Sequence, residues 1–226
     1  MSISPTRLLL DQDLRTIRDD ILRMGSLIEE QTERAIRALK ERDMSLAHQI
    51  VESDERVNAL RYKIEEECLR TMATQQPAAR DLRTIVAAMH MAVEMERMAD
   101  HAAGIASITI RMGDEPLIKP LVDIPRMQVV VNAMLHEALD AYVKLDATVA
   151  GAVVEKDDEV DALYQQILRE LLTYMMQDAK TISGATYLLW IAHNLERIGD
   201  RVTNVCERVI FAATGELGDY KPVKSN

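Results

Sequence analysis

An all-α fold, made of one three-helix unit written twice, is what this sequence predicts. Three observations carry it. The 226 residues include only eight Gly and six Pro, too few breakers for a chain of many strands and turns. Apolar residues recur at three- and four-residue spacing over long stretches, the period of a helix with one buried face. Two segments also repeat in order. VESDERVNALRYKI (51–64) lies over VEKDDEVDALYQQI (154–167) with a shift of 103, and EMERMAD (94–100) over NLERIGD (194–200) with a shift of 100.

The first unit reads as three helices. Leu14, Ile17, Ile21, Met24, Ile28, Ala35 and Leu39 carry the apolar face of a segment over 11–40. After a break at 41–43, Asp43 is placed to cap a second helix over about 44–73, with Ile50, Val57, Leu60, Ile64 and either Cys68 or Leu69 inward. Pro77 suits the first turn of a third helix over about 78–112. Gly113, Pro116 and Pro120 mark a linker over 113–124. The second unit repeats the plan over about 125–150, 154–177 and 183–213. Gly151 is expected to separate its first two helices, Thr181 or Ser183 to cap the third, and Gly215 and Gly218 to end it. The short connections make neighbours antiparallel. The predicted domains are therefore three-helix bundles over 8–112 and 125–217.

A formal net charge of −10 argues against a nucleic-acid partner. Cys68 and Cys206 lie far apart on helical segments, as reduced small apolar residues of a cytoplasmic protein. The N-terminal apolar run is too short for a signal peptide, and no stretch is long enough to span a membrane, so any membrane association would run through partners. Trp190 and the cluster Met89, Met91, Met95 and Met98 read as core.

The chemistry sits in the repeat. Glu196 and Asp200 stand four residues apart on one helix face, with Asn204 one turn on, and Glu96 and Asp100 copy the pair. Like charges at that spacing cost a helix about 0.2–0.5 kcal/mol, so finding them twice at one place asks for a reason. On the helical wheel both pairs fall away from the apolar stripe, so no strongly raised carboxylate pKa is required. Folding the second and third helices of each unit together brings Asp54 and Glu55 opposite residues 95 and 96, and Asp157 and Asp161 opposite 201 and 197. Such an oxygen-rich groove suits a hard cation. No His follows a Glu at the spacing a di-iron bundle needs, and His193 has Val93 as its counterpart. No nucleophile motif, phosphate loop or metalloprotease motif occurs.

Residues 80–106 and 188–217, with the opening DLRTIRDDILRMGSLIEEQTERAIRAL and the segments ESDERVNAL and EKDDEVDAL, resemble the PhoU family of phosphate-uptake and phosphate-signalling regulators. The resemblance covers about 8–217. It implies two pseudo-symmetric bundles and a non-enzymatic cytoplasmic protein, often a homodimer. Such a protein represses the phosphate-starvation response by linking the ATPase of the phosphate ABC transporter to the membrane sensor histidine kinase. It also implies surface metal sites (Mg, Mn, Ca, Fe or Zn) at Glu96, Asp100, Glu196 and Asp200. Asp54, Asp157, Asp161 and Asn204 are the expected additional ligands. Gly104 stands where Asn204 repeats, which predicts a poorer first site. The competing class is a metal-dependent enzyme or metal-storage bundle, which the outward acids disfavour.

Overall fold

The computed structural model describes residues 5–113 and 115–216, all helix or connection with no strand among them. The first half runs α1 (Pro5–Glu41), α2 (Met44–Ser53), α3 (Glu55–Gln75) and α4 (Arg80–Met112). The second runs α5 (Asp123–Lys144), α6 (Ala147–Glu155), α7 (Asp157–Gln177) and, after a short 3-10 turn over 179–181, α8 (Ile182–Thr214). In each half the α2–α3 or α6–α7 pair acts as one bent middle helix, packed with its neighbours around the long last helix. The two last helices, α4 and α8, lie against each other, and α1 also touches α5.

The apolar stripe of α1 is buried as its spacing predicts: Ile17, Ile21, Met24, Ile28 and Leu39 are all 2 % exposed or less. Cys68, not Leu69, faces inward on α3. Both cysteines are buried and free, and burial pushes each thiol up to about 12. Met91, Met95 and Met98 are core, with Met89 partly buried against it. Trp190 departs from its prediction: it is 46 % exposed, packed edge-on to Tyr187 rather than into the core. A single continuous apolar cluster runs through both halves, joined where α4 and α8 pack together.

Several boundaries differ from the sequence expectation, each for a local reason. The middle helix of the first half breaks at Asp54, whose carbonyl accepts from both Val57 and Asn58. In the second half the break is not at Gly151, which lies buried inside α6, but at Leu145, in the left-handed region at φ 50°. Asp146 then caps α6 by accepting from the amides of Thr148 and Val149, as Asp43 caps α2 through Leu46. Arg42, likewise left-handed at φ 58°, is the counterpart of Leu145 at the 103-residue shift. Pro77 lies in the turn ahead of α4 rather than in its first turn, since Gln76 and Ala79 both take positive φ before the helix starts at Arg80. Thr181 rather than Ser183 takes the N-cap position of α8, but its side chain makes no capping bond there, and Asp178 caps the 3-10 turn through Lys180. Gly215 ends α8 in the left-handed conformation that glycine adopts without strain. Gly218 lies outside the described residues.

Candidate functional site

The bend in each middle helix sets an aspartate beside the acids of the long last helix. In the second half Asp157 opens α7, and Gly199 of α8 leaves room for it: a Cβ at 199 would stand 2.9 Å from Asp157 Oδ1. One turn along α7 comes Asp161, and α8 contributes Glu196 and Asp200. Burial raises the Asp157 pKa to about 7, with the charges of Asp161, Asp200 and Glu196 adding to the shift. Glu196 and Asp161 are raised too, first by burial and then by Asp200. The predicted four acids therefore come together, with Asp157, Glu196 and Asp200 half-buried and Asp161 exposed at the edge. The strongly raised carboxylate that the wheel did not require belongs to Asp157, on the neighbouring helix. Basic side chains flank the cluster. Arg197 pairs with Asp200 at 2.7 Å, and His193 Nδ1 lies 3.2 Å from Glu196 Oε2. That carboxylate oxygen is buried and accepts no well-aligned hydrogen bond.

The first half builds the same arrangement with weaker charge. Asp54, Glu96 and Asp100 converge, Asp54 and Glu96 raised by burial and then by Asp100. Asn58 stands where the repeat places Asp161, and it donates to Asp54 Oδ2 at 3.3 Å. Arg61 stands where the repeat places Tyr164, and its guanidinium lies 3.5 Å from Glu96. Buried Gln31 sits beside Asp54 and favours its charged form. Asp54 Oδ1 and both Gln31 amide atoms have no hydrogen-bond partner. Glu55 is exposed and does not contribute to the cluster's titration.

Asn204 does not join the acids. It donates to Glu94 Oε2 across the seam between the halves, at 2.9 Å, beside Arg201, which reaches the same oxygen at 3.1 Å. The mirror contact has His101 Nδ1 donating to Asn194 Oδ1 at 3.0 Å. At the 100-residue shift Glu94 maps to Asn194 and His101 to Arg201, so the two contacts are one motif used twice. Gly104 follows from it: a Cβ there would stand 3.0 Å from Asn194 Oδ1. The missing asparagine makes room for the seam and says nothing about the first cluster's ligands. Sequence reading missed Glu94, His101, Asn194 and Arg201, although the 100-residue shift pairs them.

All donors in the two clusters are carboxylate or amide oxygens, the chemistry a hard cation takes. The unbonded buried oxygens of Asp54 and Glu196 are free to become ligands. As the side chains stand, no three His, Cys, Asp or Glu among the described residues form a group that would hold a metal ion. Binding would need the carboxylates to swing together, which their mutual repulsion opposes until a cation arrives.

A duplicated all-α bundle, with an acidic cluster at the same place in each half, is the class that fold and site define. The family model described as the PhoU domain matches twice, over residues 21–109 and 124–209. The chain belongs to the PhoU family. It is 38% identical over 206 residues to the phosphate-specific transport system accessory protein PhoU homolog of Pseudomonas aeruginosa, covering 90% of this chain and 84% of that protein. It is 35% identical over 214 residues to the Escherichia coli phosphate-specific transport system accessory protein PhoU, covering 93% and 87%. The crystal structure of PhoU from Pseudomonas aeruginosa superposes with a TM-score of 0.86 at 37% identity, covering 91% of this chain and 99% of that one. The phosphate transport system regulatory protein PhoU from Streptococcus pneumoniae gives 0.87 at 31%, covering 93% and 100%.

Proposed function

We propose that this chain is a cytoplasmic, non-enzymatic regulator of phosphate homeostasis, organised as two units over 8–112 and 125–217. It represses the phosphate-starvation response by coupling the ATPase subunit of a phosphate ABC transporter to the sensor histidine kinase of a phosphate two-component system. The observation that carries this reading is the family match over both halves, together with relatives named as accessory proteins of phosphate-specific transport. Among the described residues no helix is long and apolar enough to cross a membrane, which accords with membrane contact made through partners. The acidic balance of the chain accords with a protein partner rather than a nucleic acid. The protein acts as a homodimer.

The acidic clusters serve as divalent or transition-metal sites in this reading, for Mg, Mn, Ca, Fe or Zn. Asp157, Asp161, Glu196 and Asp200 form the stronger one, and Asp54, Glu96 and Asp100 the weaker. An ion there neutralises the repulsion and fixes the middle helix against the last helix. The test is genetic. Deleting the gene is expected to raise transcription of phosphate-scavenging genes in phosphate-rich medium, and restoring it is expected to return repression. Full repression in the deletion strain would refute the regulatory role.

A further inference from the structure

The outer face of the first half, between α1 and α3, carries an open groove of about 440 Å³. Leu27, Ala59 and Leu60 form its floor, with Arg23, Arg56 and Lys63 around it. It continues past Arg34 and Ser53 in two smaller depressions that share Arg56. The second half supplies an internal control. At the 103-residue shift Arg23 and Arg56 correspond to Arg126 and Glu159, which form an ion pair at 3.1 Å. Arg34 and Ser53 correspond to Glu137 and Lys156, which pair as well, at 2.5 Å. In the second half the groove's charges therefore cancel internally.

In the first half they do not. Lys63 is held by Asp20 at 2.7 Å and Arg34 by Glu30 at 3.5 Å, and Glu52 lies at the far end. Arg23 and Arg56 are both exposed, and neither has an ion pair or hydrogen bond among the described residues. Two unpaired guanidiniums thus line one groove with an apolar floor in a protein of net charge −10. Unpaired positive charge beside an apolar surface attracts an anionic group from outside.

We propose that this groove docks an acidic amphipathic helix of a protein partner. Its apolar side chains would seat on Leu27, Ala59 and Leu60, and its carboxylates would bridge Arg23 and Arg56. The shape fits: two antiparallel helices with an apolar furrow accept a third helix along it. The mixed lining favours a helix over a bare anion, which would leave the apolar floor wet. The proposal is independent of metal binding at the acidic clusters and holds whether or not they take an ion.

The probe is a fluorescently labelled synthetic helix with leucine on one face flanked by glutamates, read by anisotropy against the full chain. Binding is expected at low salt and is expected to weaken as salt rises. Replacing the peptide's glutamates by glutamine should weaken it about tenfold or more, equivalent to about 1.4 kcal/mol. Arg56→Glu, which installs the residue the second half carries there, should weaken it at least as much with the melting temperature unchanged. Arg23→Gln, at an exposed position, should show a smaller loss in the same direction. Absence of binding, or equal binding of the glutamine peptide, would overturn the proposal. So would displacement of the peptide by millimolar inorganic phosphate, which marks a small-anion site. Self-association by sedimentation that disappears in Arg56→Glu would assign the groove to a second copy of the chain instead.

Discussion

Arg42 and Leu145 end the first helix of each half in the same left-handed turn, and Asp43 and Asp146 cap the helix that follows. Between these matched elements the charges diverge. The first half has Asn58 and Arg61 at its acidic cluster, where the second has Asp161 and Tyr164. On the outer groove the first half leaves two arginines unpaired where the second pairs Arg126 with Glu159. One scaffold thus carries two electrostatic roles: the second half concentrates negative charge beside its long helix, and the first leaves positive charge open on its outer face. Duplication fixes the backbone through caps, apolar spacing and small residues at the seam. Exposed positions remain free to differ, because exchanging a surface charge shifts stability by only about 0–1 kcal/mol.

The largest expected effect sharpens the contrast between the clusters. Manganese or magnesium at a hundredfold excess over its dissociation constant should stabilise the folded chain by about 2.7 kcal/mol. For a chain of this size that is a melting increase of about 5–10 °C. Glu196→Gln with Asp200→Asn should remove most of the increase, and Glu96→Gln with Asp100→Asn only a minor part. Calorimetry of the three proteins across a metal titration measures it. Equal responses would show that the added carboxylate of Asp161 and the intruding Arg61 do not distinguish the halves.

A smaller effect tests the seam where the halves meet. Glu94→Ala removes the shared partner of Arg201 and Asn204, leaving a half-buried guanidinium unpaired. The expected loss is about 1–3 kcal/mol. Asn194→Ala breaks the His101 contact, between neutral groups, together with the exposed bond that the Asn194 amide donates to the Trp190 carbonyl, and the expected loss there is about 0.5–1.5 kcal/mol. Chemical denaturation gives both values, and a reversed order would mean that the charged half of the seam is not the stronger.

The last effect is a pH slope in metal-free protein. The folded Asp157 holds its proton up to about 7, well above the 3.8 of an unperturbed aspartate. Its contribution to stability is full below about pH 4 and is lost as pH rises through 7, since only the folded state is still protonated in that window. Asp157→Asn should flatten this fall, and Asp54→Asn should flatten a shallower one, as the Asp54 pKa is raised as well. Melting curves in chelator between pH 4 and pH 8 test the comparison. An unchanged slope in Asp157→Asn would remove the burial of that carboxylate as its source.

Much of this was legible in the chain. The 3.6-residue spacing of Ile17, Ile21, Met24 and Ile28 specified the buried stripe of α1, because a helix face is a local property. Folding the second half about its turn placed Asp157 and Asp161 opposite 201 and 197, one residue from Asp200 and Glu196, since a short connection between antiparallel neighbours narrows their register. The Leu145 break was less visible, because a leucine in the left-handed region gives no compositional signal; only its alignment with Arg42 and the cap at Asp146 reveal it. Trp190 was misplaced for a related reason: an aromatic residue near an apolar stripe reads as core until the position of the neighbouring helix is known.

By itself, the sequence determined the all-α class, the duplication, the pairing of acids within each half and the family. These depend on period, caps and motif spacing, which are set along the chain. Only the tertiary structure decided what those residues face. It turned Asn204 from an apparent cluster residue into a seam contact with Glu94, because α8 presents that turn to α4 rather than to α7. It made room for Asn194 at Gly104 and for Asp157 at Gly199, contacts between side chains on different helices. It also raised the pKa of Asp157 and left Arg23 and Arg56 without partners. Burial and charge pairing depend on which helices meet, and at what rotation about their axes, and no single segment encodes that.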